Sequence, residues 1–77
     1  MTPKDRNRER AEAGMALVQA HVEHCGPDEY GPEETDAMII DSLANILHAA
    51  RAAKLNPLQL LRVATSHFNA EETEANQ

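Results

Sequence analysis

The sequence predicts an all-α fold: a three-helix bundle with helices over residues of about 3–24, 32–54 and 57–71. Three observations predict it. Proline, glycine and capping residues punctuate the chain where helices start and stop. The apolar residues between these points recur at steps of three and four. No β-branched run alternates polar with apolar residues, as a half-buried strand would.

The first helix opens at Thr2-Pro3-Lys4-Asp5, which reads as an N-cap, a proline at the first helical position and a carboxylate in the first turn. Cys25-Gly26-Pro27 ends it, because glycine suits a left-handed C-terminal cap and proline cannot continue the ladder. Gly31-Pro32-Glu33-Glu34 reads as the second start, again a proline followed by acids. In the third, Asn56 caps a helix opening at Pro57, with Gln59 placed for a capping box. The expected core faces are Ala11, Met15, Val18, Val22 and Cys25, then Ile39, Ile40, Leu43, Ile46, Leu47 and Ala50, then Leu58, Leu61, Ala64, Thr65 and Phe68. The expected domain is residues 1–71, followed by a disordered acidic tail over 72–77 that has no apolar anchor.

With 77 residues the chain holds one small domain, and the supply of large core side chains is thin. Alanine provides 13 of the apolar residues, and Tyr30 and Phe68 are the only aromatics. No apolar run reaches the ~20 residues of a spanning helix, and the N-terminus lacks a signal-peptide apolar core. The single cysteine excludes a disulfide scaffold and fits a reducing cytoplasm.

A helical projection shows more apolar surface than three helices need. Leu17 lies on the far side of the first helix from Met15, with Ala13, Ala16 and Ala20, and Leu60 and Val63 fall off the main stripe of the third. Self-association through Ala13, Leu17, Ala20, Leu60 and Val63, as a homodimer first of all, resolves this excess. The alternative is scattered surface apolars covered by long Arg and Glu stems.

Among the residues that carry chemistry, His21 and Cys25 stand at i, i+4, the spacing by which one helix presents two metal ligands. Structural zinc needs four ligands, and His21, His24 and a lone Cys25 match no standard spacing, so neither metal nor cofactor is expected. Cys25 reads instead as a small hydrophobe in the buried seam, and the two histidines as last-turn residues facing the carbonyl end of the helix dipole. Glu34, Asp41, Asn45 and His48 form a line along the second helix opposite the Ile/Leu face. This line reads as a solvated face, as a partner-contact strip, or as acid–base machinery, although Asp41 and His48 are two turns and roughly 10 Å apart. His67, beside Phe68, reads as a boundary histidine. Tyr30 either anchors its loop or centres a contact patch.

The net charge is −6, with 13 acids against 7 Lys and Arg. Lys4, Arg6, Arg8 and Arg10 supply four of the bases, interleaved with Asp5, Glu9 and Glu12. The acidic body repels the DNA phosphate backbone and suits a basic protein surface. No P-loop, GxGxxG, HExxH, nucleophile-elbow or Cys-pair signature occurs.

Asp41-Ser42-Leu43-Ala44-Asn45-Ile46-Leu47-His48 and Ala64-Thr65-Ser66-His67-Phe68-Asn69-Ala70-Glu71 resemble a pattern in small uncharacterised helical proteins of phages, plasmids and other mobile elements, over residues of about 36–71. The resemblance implies a bacterial or phage cytoplasmic setting and an accessory role such as inhibiting a host defence or regulatory protein, and it transfers no catalytic residue. The expected function is a non-catalytic protein-binding module whose candidate contacts are Tyr30, Glu33, Glu34, Asp41, Asn45 and His48. Two alternatives stand beside it. One is a small DNA-associated regulator using the basic N-terminus and Arg62. The other is an all-α metal-dependent nucleotide hydrolase assembling Glu33, Glu34 and Asp41 across an oligomer.

Overall fold

A computed structural model describes residues 1–77 apart from the side chain of Pro27, and among the described residues it contains helices and no strand. Helix α1 spans Pro3–Cys25, α2 spans Thr35–Ala52 and α3 spans Pro57–Ala75, with a 3-10 turn at Pro27–Glu29 between the first two.

The expected caps form at two of the three starts. Asp5 N donates to Thr2 Oγ1 and Thr2 N donates to Asp5 Oδ2, each at 3.1 Å, a complete capping box behind Pro3. Those two Thr2 groups, the backbone first, hold the Asp5 carboxyl below the usual carboxylate range. Asn56 Oδ1 accepts from Gln59 N at 3.1 Å and Pro57 follows as the first helical residue. At the end of α1, Gly26 sits at φ +108°, which costs a residue without Cβ little, and donates its N–H to Val22 O at 2.9 Å.

Helix α2 begins at Thr35, three residues after the expected start. Glu34 N donates to Gly31 O at 3.3 Å, so Gly31-Pro32-Glu33-Glu34 is a β-turn with Pro32 at its second position. Proline's fixed φ serves that position as well as it serves the first turn of a helix. The far end of α2 is closed by Lys54 at φ +65°, with Lys54 N donating to Arg51 O and Leu55 N to Ala50 O. These paired bonds are a Schellman motif built without glycine. Helix α3 continues through residues 72–75, where a structureless tail was expected. Asn76 closes it by donating its Nδ2 to Glu72 O at 2.9 Å, and Ala75 is buried.

Packing departs furthest from expectation. The molecule measures 40 × 33 × 17 Å, narrow in one direction where a bundle of aligned helices is narrow in two. Its radius of gyration is 14.3 Å, against roughly 11–12 Å for a compact chain of this length. The reason is the course of α3. Its C-terminal half reaches the start of α1, where Asn7 Nδ2 donates to Glu71 O at 3.1 Å and Arg10 Nε pairs with Glu71 Oε2 at 3.1 Å.

The three helices therefore form an open plate, and the expected core stays wet. Val18 and Ser42 each keep 7% of their surface exposed, but Ile46 keeps 49%, Leu43 46% and Phe68 58%. Val22, Leu47 and Ala50 are half-buried, whereas Ala11, Met15, Cys25, Ile39, Ile40, Leu58, Leu61, Ala64 and Thr65 are exposed. The flank residues Ala13, Leu17, Ala20, Leu60 and Val63 are exposed too, so the surplus apolar surface lies on the main stripes as well as beside them.

Candidate functional site

The polar groups that come together do so where the loop after α1 crosses α2. The tight turn at Gly31–Glu34 brings Tyr30 between the two helices, half-buried. Its hydroxyl donates to Asp41 Oδ2 at 2.6 Å, and the same oxygen lies 2.6 Å from His21 Nε2. On the other side of the imidazole, Asn45 Nδ2 stands 3.0 Å from His21 Nδ1.

Counting hydrogens fixes the direction of this chain. The tyrosine owns one hydroxyl hydrogen and gives it to the carboxylate, so His21 must donate from Nε2. A neutral ring then accepts at Nδ1, which matches the amide N–H of Asn45. The bonds run from Asn45 through His21 and Tyr30 to Asp41 without a break. Accepting at the Asp41 carboxylate favours the neutral phenol and pushes the Tyr30 pKa up to about 12, with partial burial adding to it.

Around these groups is an open cleft of roughly 360 Å³ that also reaches Cys25, Glu29 and His48. Cys25 is exposed, and its sulfur lies 3.7 Å from both nitrogens of His21. Equal distances place the sulfur on the plane bisecting the two nitrogens, out of line with either lone pair. The pair is therefore not aligned for the proton transfer of a cysteine nucleophile.

The structure thus brings together Tyr30, Asp41 and Asn45 of the expected contact residues and leaves His48 exposed at the cleft margin. Glu34 is occupied elsewhere, its Oε2 accepting from Gly31 N at 2.6 Å, and Glu33 is exposed. The three carboxylates Glu33, Glu34 and Asp41 do not converge, and among the described residues no three His, Cys, Asp or Glu side chains gather to hold a metal ion.

Two expectations are corrected. Asp41 and Asn45 stay exposed but do not stand free on their strip, because Tyr30 and His21 reach across to bond them. Cys25 is not part of a buried seam. His21, read from sequence as a last-turn residue, is the hub of the network; its partners lie 9 and 24 positions away, beyond any local signal.

At the other end of α1, Arg8 pairs with Asp5 at 2.9 Å and Arg10 with Glu71, so half of the basic N-terminal cluster is matched by carboxylates of the chain itself. Among the described residues no helix is long and apolar enough to cross a membrane. No protein-family model, no curated protein and no solved structure matches the chain.

Proposed function

We propose that the protein is a non-catalytic interaction module that captures a basic surface of another macromolecule, in the bacterial or phage cytoplasmic setting that its resemblance to mobile-element accessory proteins implies. One observation carries this reading. The side chains able to do chemistry, His21, Tyr30, Asp41 and Asn45, satisfy one another, while the loop that carries Tyr30 and the first turn of α2 expose Asp28, Glu29, Glu33, Glu34 and Asp36. Between Arg10 and Arg51 there is no lysine or arginine, and eight acids fall in that stretch. Such a field steers a cationic partner and repels nucleic acid.

Glu29, Glu33 and His48 are exposed, and among the described residues their side chains make no hydrogen bond. They are therefore the residues to change. Glu29→Lys, Glu33→Lys and His48→Ala together should abolish capture of basic proteins from a host lysate, with helical circular dichroism unchanged. Undiminished capture defeats the reading. A salt-sensitive gel shift on duplex DNA at low ionic strength would replace it with the DNA-associated one.

A further inference from the structure

The groove between α1 and α2 poses a separate problem. It is a concavity of roughly 350 Å³ whose walls include Gly14, Met15 and Val18 from one helix and Ile39, Leu43 and Ile46 from the other, and no charged residue lines it. The one hydroxyl in it, Ser42 Oγ, is already spent on Met38 O at 2.6 Å. In a closed three-helix bundle the third helix would fill such a groove, but here α3 is drawn away to the start of α1 by Asn7 and Arg10.

We propose that a second copy of this chain covers the groove, the two α1–α2 faces meeting about a two-fold axis to form a four-helix core. The area agrees. The chain exposes 6205 Å², whereas a folded monomer of 8.5 kDa exposes about 4,650 Å². The surplus of about 1,500 Å² on each chain, shared between the α1–α2 groove and the exposed length of α3, leaves a pair up to about 3,000 Å² to bury, against the ~2,000–5,000 Å² of obligate homodimers.

The charge agrees as well. No charged residue lines the groove, so two chains of −6 can meet there without burying a charge, whereas a cationic partner is drawn to the carboxylates. Gly14 supplies the independent sign. Glycine in the middle of a helix weakens it, yet a Cβ built on Gly14 would touch nothing within 4 Å. Nothing inside one chain requires that residue to be small, whereas close approach of another helix does. This inference does not rest on capture of a basic partner, and its test uses none of the same residues.

Sedimentation of the 77-residue chain across a dilution series should give a mass of twice 8.5 kDa, with a thermal midpoint that falls on dilution. Gly14→Leu fills space that is open in a lone chain but blocks the mating face. It should retain helical content and weaken association roughly ten-fold or more. Gly14→Ala should act in the same direction by a smaller factor. Leu60→Gln with Val63→Gln, away from the groove, should leave the mass at two chains. A single-chain mass with a dilution-independent midpoint overturns the proposal, as does a mass larger than two chains. Indifference of the mass to both Gly14 substitutions also overturns it, as does dissociation by the Leu60/Val63 pair alone.

Discussion

Tyr30 has two partners and one hydrogen, and that shortage organises the residues around it. Because the hydroxyl hydrogen goes to Asp41, ionising Tyr30 would remove the donor and set a phenolate against a carboxylate at 2.6 Å. Its folded pKa of about 12 lies above the ordinary value of about 10. The contribution of this bond to stability is therefore fully present below pH 10 or so and is lost as pH rises through about 12. The protein has one tyrosine and no tryptophan, so phenolate absorbance reports this group alone. Titration should give a midpoint near 12 in the native chain, and Asp41→Asn should return it toward 10. An ordinary midpoint in the native chain would show that the hydroxyl is not held by the carboxylate. Of this network the sequence displayed only the raw materials. Tyr30 stood out as the one aromatic of its loop, readable either as an anchor or as the centre of a contact patch, and Asp41 and Asn45 as neighbours on one helix because they are four residues apart. That His21 joins them was not legible, because the crossing of two helices decides it.

Helix ends were more readable than helix contacts, since a cap is settled within four residues by proline geometry and one side-chain oxygen. Thr2-Pro3 behaves as written and Asn56-Pro57 caps as written but without the return bond from Gln59, while Gly31-Pro32 does not start a helix, because the same proline φ fits a turn and Glu34 folds its carboxylate back onto Gly31 N. The end of α3 was misjudged because its last turns carry no large apolar residue. Asn7 and Arg10 anchor Glu71 from across the molecule, and beyond it Thr73 bonds back to Asn69 O and Asn76 caps Glu72 O. The end of α2 hid for another reason: the left-handed residue of its Schellman motif is Lys54 and not glycine. A side chain with a Cβ pays roughly 1–2 kcal/mol in that conformation, offset in part by the greater freedom glycine has when unfolded. Lys54→Gly should therefore stabilise the chain by about 1 kcal/mol in urea unfolding, as the Lys54 side chain is exposed and makes no hydrogen bond or ion pair. A loss of stability would mean that this turn is not left-handed in solution.

At the scale of the whole molecule, the period of the apolar residues states which faces want cover but not which chain supplies it. The stripe Ile39, Leu43 and Ile46 and its neighbour on α1 were read as core faces and line an open groove instead; that α3 bypasses them was not legible, because its C-terminal half meets the start of α1 at Asn7 and Arg10. The consequence can be measured at Ile46, whose side chain is 49% exposed in a single chain. Cutting it back in a lone chain removes only half of a normal burial energy, about 1 kcal/mol. In a core completed by a second copy the same cut leaves a cavity and costs 2–5 kcal/mol, roughly the range for large-to-small core substitutions. Ile46→Ala should therefore cost more than about 2 kcal/mol in denaturant melts at concentrations where the pair persists. The cost should shrink toward about 1 kcal/mol on dilution, as unfolding begins from separated chains. A small cost at every concentration would mean that Ile46 faces water in the working molecule, and that the groove is a surface rather than half of a core.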